Sequence, residues 1–249
     1  MKNIVILTAV MIVVASVNAF SQVGSAELAN RKGLEEFNKK AYEPAARLFE
    51  QAIALKPGYA SAYYNLGTAY FYLGRTRSSI DALTRAIKLN PNAAASRNQL
   101  GVVYLESGDT AAAIAEFEAA IRVRPDHPSA FYNLGCALIR SNDFASAVKT
   151  LERAKSLDPE DPEIRFNLAY ALSREKRLND AILEMETAVK LKPTDAELNL
   201  FLGHLFILKK DRGGATEQYA KLKTLDASRA DRLYEALNRG RVISVSYPR

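Results

Sequence analysis

The chain is poor in the residues that build disulfide frameworks and metal sites. Its 249 residues include one cysteine, two histidines and no tryptophan. The single cysteine, Cys136, cannot form an intramolecular disulfide, and we expect it to be a small buried or groove-wall hydrophobic residue. His127 and His204 are far apart in sequence, and neither has a partner at metal-ligand spacing. We therefore expect no metal site.

Recognisable catalytic motifs are also missing. The sequence has no glycine-rich phosphate loop, no nucleophile elbow and no HExxH motif. A cluster of acids from Asp158 to Glu163 lacks the central glycine and the closing glutamate of a calcium loop, and it is better explained as the start of a helix. The sequence therefore predicts a non-enzymatic protein with no catalytic residue and no cofactor.

One long apolar run stands near the N-terminus, from Ile4 to Val17. It is shorter than the roughly 20 residues that a membrane-spanning helix needs. The small residues around Ala19 offer a cleavage site before Phe20, as in a secretory signal peptide. We therefore predict a signal peptide at residues 1–19 and export, to the periplasm if the source is bacterial. The alternative is an uncleaved segment that anchors the protein in the inner membrane.

Proline recurs at a constant spacing of 34 residues. The five positions are Pro57, Pro91, Pro125, Pro159 and Pro193. Eight residues before each proline stands a large apolar residue: Phe49, Leu83, Phe117, Leu151 and Met185. Twenty-four residues before each proline stands a small one: Gly33, Gly67, Gly101, Gly135 and Ala169. A fixed period of this length indicates one supersecondary unit that is copied and stacked.

Each period contains two apolar stripes at helical spacing. In the second period the stripes run over residues 61–73 and 77–89, with Gly74 between them. Asn90 precedes Pro91, and a residue before proline is pushed out of the helical region, so the second helix ends there. Small residues allow two helices to cross closely. Each period is thus predicted to be a helical hairpin that buries its apolar faces against its neighbours.

The stretch from Ser61 to Asn92 resembles the tetratricopeptide repeat family. The matching positions include Tyr63, Leu66, Gly67, Tyr70, Ala86 and Pro91. The resemblance extends over residues 26–228 and implies an all-α fold, a right-handed α-solenoid of about six helix–turn–helix hairpins with a C-terminal capping helix. The implied hairpins are residues 26–59, 60–93, 94–127, 128–161, 162–195 and 196–228.

Both ends of the array depart from the pattern. The first repeat has Ala29, Lys32 and Glu36 where larger apolar residues are expected, and the sixth has Ala227 in place of the proline. Terminal repeats are often atypical because one face meets water. Residues 228–240 are predicted to form the capping helix, which Ser228 and Asp231 would start as a capping box. The tail, residues 241–249, is expected to be disordered, or else to add a strand to a partner's sheet.

The excess of positive charge is confined to the C-terminal end. The formal net charge is +6, yet residues 20–204 carry 23 basic and 23 acidic side chains, whereas residues 205–249 carry 10 and 5. The simpler interpretation is a solvated end of the array. The alternative is weak contact with anionic lipid headgroups or with an acidic partner. We expect no nucleic-acid binding, since no basic stripe follows the array.

The resemblance implies that the first helix of each hairpin lines a concave groove. One groove position, 26 residues before each proline, is rich in amides: Arg31, Asn65, Gln99, Asn133 and Asn167. A carboxamide can pair with a peptide group of any sequence, so these residues could form a ladder along an extended ligand. Further groove candidates are polar or aromatic: Tyr64, Asn98, Tyr132, Phe166 and Tyr170. The alternative is that the asparagines are inherited scaffold.

These features lead to two functional hypotheses. The first is a protein–protein interaction scaffold that holds an extended or helical segment of a partner protein in its groove, in the cell envelope. The second is a structural component that self-associates within an envelope assembly. The sequence leaves the oligomeric state open.

Overall fold

The computed structural model describes residues 24–239. The predicted signal peptide (1–19) and tail (241–249) lie outside this range, as does Gly240. The described residues form thirteen helices and no strand. α1 covers residues 24–38 of the described range. The others are α2 (Tyr42–Leu55), α3 (Ala60–Tyr72), α4 (Thr76–Leu89), α5 (Ala94–Glu106), α6 (Thr110–Val123), α7 (Pro128–Arg140), α8 (Phe144–Leu157), α9 (Pro162–Arg174), α10 (Leu178–Leu191), α11 (Ala196–Leu208), α12 (Arg212–Leu225) and α13 (Ala227–Arg239).

The helices fall into two compact units, Met1–Arg124 and Pro125–Arg249. Unit 1 contains the first three hairpins, α1 to α6. From α2 onward each of its helices packs on the next, and α3 also contacts α5. Unit 2 contains α7 to α13, which pack in the same consecutive way, with additional contacts between α7 and α9 and between α11 and α13. The prediction of an all-α solenoid of tetratricopeptide-type hairpins is confirmed.

A residue with positive φ stands in the turn of every hairpin, again at a period of 34. The six are Lys40, Gly74, Gly108, Asn142, Lys176 and Lys210. This conformation costs little for glycine but about 1 kcal/mol or more for other residues. The sequence pattern identified the turn of the second hairpin at Gly74. The three lysine turns escaped it because lysine carries no turn signal.

The small residues of the period serve close packing between the two helices of a hairpin. A Cβ atom on Gly101 would lie 2.6 Å from the ring of Phe117, and one on Gly135 would lie 2.5 Å from Leu151. Gly33 and Gly67 are equally close to their partners. In the fifth repeat Ala169 takes this place and shares a core cluster with Met185. A flexible methionine adapts to the extra methyl group.

Helix α13 covers the last hairpin, as the predicted capping helix does. Its buried side chains include Leu233, whose methyl group lies 2.5 Å from the Cβ position of Gly203 on α11. The predicted capping box at Ser228 is wrong. The helix begins at Ala227, and Asp226 is its cap, since an Oδ1 of Asp226 accepts a 3.0 Å hydrogen bond from the Arg229 backbone N–H.

Candidate binding face

The predicted groove residues lie on the first helices of the hairpins. We call the surface of α1, α3 and α5 the unit 1 face and that of α7, α9 and α11 the unit 2 face. Arg31, Tyr64, Asn65, Asn98 and Gln99 belong to the unit 1 face. Tyr132, Asn133, Phe166, Asn167 and Tyr170 belong to the unit 2 face.

On the unit 1 face the candidates remain accessible. Arg31 is exposed, and Tyr64, Asn65, Asn98 and Gln99 are half-buried. The Asn65 amide donates a 2.9 Å hydrogen bond to the Asn30 side-chain oxygen, which ties α3 to α1. This contact orients one amide of the proposed ladder while a part of its side chain stays open to solvent.

On the unit 2 face the central amide is engaged within the protein. Asn167 is only 4% exposed. Its Nδ2 donates to the Glu163 backbone carbonyl at 2.8 Å and to the Tyr132 hydroxyl at 3.3 Å. The bond to Tyr132 spans 35 residues, the same offset as Asn65 to Asn30. At these two positions the amide joins consecutive repeats, which supports the scaffold interpretation of the asparagines.

Two of the predicted groove aromatics are core residues. Phe166 and Tyr170 are each 5% exposed and pack on Phe201, with ring centroids 5.0 and 6.2 Å apart. The Tyr170 hydroxyl accepts a 3.1 Å hydrogen bond from Arg174. Tyr132 and Asn133 are half-buried, and burial, together with the neighbouring Cys136, raises the pKa of the Tyr132 phenol. A ligand on the unit 2 face would meet few open side chains from the predicted set.

A partly exposed aromatic cluster on unit 1 was not among the predicted residues. The Tyr42 and Tyr72 rings stack with centroids 4.8 Å apart and planes 12° apart, and the edge of Phe37 meets both rings. Tyr72 is 54% exposed. A signal was present in the sequence, since α3 has five aromatic residues among 13 and no charged one.

An arginine–glutamate pair joins the two helices of a hairpin in two of the repeats. The arginine stands 28 residues, and the glutamate 9 residues, before the proline of the repeat. In the third repeat Arg97 donates to Glu116 at 3.2 Å. In the fifth repeat Arg165 binds Glu184 at 2.7 Å, and Lys155, from α8 of the fourth repeat, binds the same carboxylate at 2.6 Å. These contacts join neighbouring helices of one unit, so we interpret them as structural.

Residues 24–239 contain no group of three or more His, Cys, Asp and Glu side chains arranged to hold a metal ion. No helix in the same range has both the length and the apolar character for crossing a membrane.

Comparison with known sequences identifies the repeat. One profile, described as a tetratricopeptide repeat, matches residues 64–130, 98–162 and 132–196. A second profile, described as a TPR repeat, matches residues 33–74. Together the two profiles cover residues 33–196 without a gap. No curated protein matches the chain.

Solved structures with the same fold include YrrB, PilF and MamA. YrrB, described as a TPR protein with an unusual peptide-binding site, is 24% identical over 76% of this chain and 99% of its own, with a TM-score of 0.66. PilF from Pseudomonas aeruginosa is 18% identical over 86% and 99%, with a TM-score of 0.75. MamA from Desulfovibrio magneticus RS-1 is 25% identical over 68% and 96%, with a TM-score of 0.64.

Proposed function

The chain belongs to the tetratricopeptide repeat family, and we propose that it holds an extended or helical segment of a partner protein on its unit 1 face. The members of this family are in general non-catalytic scaffolds for protein–protein interaction, and the fold supports that role here. The similarity to YrrB, whose description includes peptide binding, supports a peptide as the ligand.

The observation that carries this assignment is the accessibility of the unit 1 face. Arg31 is exposed and Gln99 half-buried there, whereas Phe166, Asn167 and Tyr170 on the unit 2 face are buried among the protein's own side chains. A ligand gains affinity from groups that it can desolvate and pair with. The unit 1 face offers such groups, namely a guanidinium and carboxamides.

The setting that we propose is the cell envelope of a bacterium. The apolar run from Ile4 to Val17 and the small residues before Phe20 have the pattern of an export signal. The basic residues after position 204 would add weak attraction to anionic headgroups.

A peptide array screened with residues 20–249 tests the assignment. The strongest binder is then titrated against a double variant, Arg31→Ala with Gln99→Ala, by fluorescence anisotropy. We expect the affinity to fall about tenfold, which corresponds to about 1.4 kcal/mol. The loss reflects a missing charge-assisted hydrogen bond and a missing amide pair.

The second helices of the same unit provide a matched control. Gln51 on α2 and Arg85 on α4 have the same side chains and are exposed. Gln51→Ala with Arg85→Ala should leave the affinity within about twofold of the parent. Equal losses in both double variants, or no loss in either, would contradict binding on the unit 1 face.

A further inference from the structure

Unit 2 carries opposite charges on its two edges. In a stack of hairpins, the turns inside the hairpins lie on one edge and the loops between hairpins lie on the other. The turns inside the hairpins of unit 2 hold seven basic and three acidic residues, over residues 140–144, 174–178 and 208–212. We call this edge the turn edge. The loops on the opposite edge hold five acidic residues and one basic residue, over residues 158–161, 192–195 and 226.

Most of the positive charge of the turn edge is exposed and unpaired. Asp143 and Asp211 are engaged as helix caps, since each accepts a hydrogen bond from a backbone N–H of its own helix, at 3.1 and 3.0 Å. Arg177 is paired with Asp180 at 2.7 Å, and Arg174 donates to Tyr170. The other basic side chains are exposed and form no salt bridge with residues 24–239: Arg140, Lys176, Lys209, Lys210 and Arg212.

Two of these lysines occupy backbone positions that are unfavourable for lysine. Lys176 has a φ of 62° and Lys210 a φ of 64°, whereas two of the three equivalent turns of unit 1 have glycine, Gly74 and Gly108. A side chain with a Cβ is less stable than glycine in this conformation. A residue held in a costly conformation supports a hypothesis of function. Here the function would use the lysine charge at the turn edge.

An exposed apolar side chain stands beside these lysines. Leu208, the last residue of α11, is 45% exposed and directly precedes Lys209. Such a combination suits a bilayer surface, because the leucine enters the headgroup boundary while the ammonium groups meet phosphates. Helix α13 packs on α11 and α12 and starts at the opposite edge, so Arg239 at its end also lies at the turn edge.

The type and spread of the cations favour a membrane over an acidic protein segment. Three of the five unpaired cations are lysines, which are compact, hydrated point charges, whereas specific carboxylate recognition favours the arginine fork. Arg174 and Arg177 are already engaged within the protein. The cations also extend over three successive turns, and neighbouring helices lie about 8–10 Å apart. A broad anionic surface reaches such a row at once.

We propose that the turn edge of unit 2 binds the anionic phospholipid headgroups of a membrane surface. This inference deepens the proposed setting in the cell envelope and rests on that part of the proposed function, without using the unit 1 face. Lys176, Lys209 and Lys210 meet the headgroup phosphates, and Leu208 enters the boundary beneath them. Binding therefore requires anionic lipid and weakens as salt screens the charges.

The test is co-sedimentation of residues 20–249, which include all the described helices, with lipid vesicles. One set of vesicles is phosphatidylcholine alone, and the other contains about 30% phosphatidylglycerol. Both are titrated at about 50 and about 500 mM NaCl. We expect binding to the anionic vesicles alone, and binding at least about tenfold weaker at the higher salt.

A triple variant locates the contact. Lys176→Gln, Lys209→Gln and Lys210→Gln, made together, keep the length of the side chains and remove three charges. We expect the affinity for anionic vesicles to fall at least about tenfold. Leu208→Ala should weaken it about two- to threefold, because less apolar surface enters the boundary. Circular dichroism of each variant confirms that the helices are intact.

Three exposed lysines of unit 2 away from the turn edge provide the matched control: Lys149, Lys190 and Lys192. Their joint replacement by glutamine changes the net charge by the same amount. It should leave the affinity for anionic vesicles within about twofold of the parent. Equal losses in the two triple variants would overturn the proposal, since net charge and not the turn edge would then set the binding.

Further outcomes separate the alternatives. Equal binding to both kinds of vesicle, or no binding to the anionic one, would overturn the proposal. A poly-glutamate peptide that binds when the vesicles do not, and is lost in the turn-edge variant, would assign the edge to an acidic protein instead. The peptide from the array is also titrated against the turn-edge variant. Its affinity should be unchanged, so failure of the vesicle assay would leave peptide binding on the unit 1 face standing.

Discussion

The unit 1 face and the unit 2 face have the same repeat register, but different neighbouring side chains cover their equivalent positions. Asn65 and Asn167 occupy the same place in their repeats, yet the first is half-buried and the second is 4% exposed. Asn167 is held by hydrogen bonds to Glu163 and Tyr132, and the aromatic residues beside it are covered from the next repeat. Phe201 stands in the sixth repeat where the earlier repeats have an amide or arginine, and its ring packs on Phe166 and Tyr170. Register therefore locates a position, whereas its neighbours decide whether a ligand can reach it.

The units also differ in the polar groups that they bury. The buried polar side chains of unit 1 are two serines and one amide, Asn30, and one of the serines, Ser79, donates a 2.7 Å hydrogen bond to the Gly67 carbonyl. Unit 2 buries a histidine, His204, and three amides: Asn167, Asn199 and Gln218. Buried titratable and amide groups make stability depend on protonation and on satisfied hydrogen bonds. The stability of unit 2 should therefore be more sensitive to protonation, and to the loss of buried hydrogen bonds, than that of unit 1.

The largest expected effect is acid destabilisation of unit 2 through His204. Burial lowers the pKa of His204 from 6.5 to about 4, and the nearby charge of Arg232 on α13 adds to this shift. The folded state therefore favours the neutral ring. The contribution of the neutral His204 ring to the stability of unit 2 is complete above pH 6.5 and is lost as the pH falls toward 4. The loss at pH 4 is about 3 kcal/mol. Hydrogen exchange at α11 and α13 between about pH 7 and 4 measures it.

Two variants isolate the histidine in that experiment. His204→Leu should remove most of the pH dependence at α11, since no group there then gains a proton. Arg232→Ala should reduce the loss, because one cause of the lowered pKa is gone. An unchanged pH dependence in His204→Leu would contradict the assignment, and equal acid sensitivity of α3 would contradict the contrast between the units.

The second largest effect is a difference in the stability that the Arg–Glu pairs of the third and fifth repeats contribute. Glu184 in unit 2 is 12% exposed at its side chain and neutralises two cations, Arg165 and Lys155. Glu116 in unit 1 is 25% exposed and has one partner, Arg97. Glu184→Ala leaves two cations close together and should cost about 2–3 kcal/mol of unfolding free energy. Glu116→Ala should cost about 1 kcal/mol or less.

Urea unfolding of the full chain, followed by circular dichroism, compares the two variants. Glu184→Gln serves as a control for shape, because it keeps the side-chain volume and removes only the charge. It should recover little of the loss. Equal costs for Glu184→Ala and Glu116→Ala would show that burial and the second cation do not matter.

The fold was predictable from the sequence because the features that build it are periodic. The proline at every 34th residue, the small residue 24 positions before it and the large one eight before it predicted a stack of helical hairpins, which is the fold observed. The expectation that a small residue lets two helices cross closely also holds at Gly101, since its Cβ position meets the Phe117 ring at 2.6 Å. Local chemistry repeated in register needs no knowledge of distant contacts.

The candidate site was less predictable because exposure depends on unlike neighbours. The stack of Tyr42 and Tyr72 joins residues of two repeats, and neither lies at the amide positions. The burial of Phe166 follows from the ring of Phe201, 35 residues later. Both contacts arise where one repeat differs from the next, so a consensus position cannot reveal them.

The third effect compares the glycine–phenylalanine contact of a unit 1 hairpin with the alanine–methionine contact of a unit 2 hairpin. Gly101→Ala in unit 1 should cost about 1–2 kcal/mol, because the new methyl group collides with Phe117. Adding Phe117→Met gives this repeat the alanine–methionine pair of Ala169 and Met185 in unit 2. The double variant should be more stable than the sum of the single variants by about 1 kcal/mol. Strict additivity in urea unfolding would contradict the steric account.

The smallest effect concerns the hairpin turns, where unit 1 has two glycines and unit 2 has none. Lys176 has a φ of 62°, and Gly74 occupies the equivalent turn with a φ of 71°. Lys176→Gly should therefore stabilise the protein by about 0.5–1 kcal/mol, measured as a higher urea midpoint. Lys176→Ala removes the charge but keeps a Cβ, so it should change stability by less than about 0.5 kcal/mol. Gly74→Ala should cost about 1 kcal/mol through backbone conformation alone, since no atom lies within 4 Å of the added Cβ. If Lys176→Ala stabilises as much as Lys176→Gly, charge repulsion and not positive φ sets the difference between the turns.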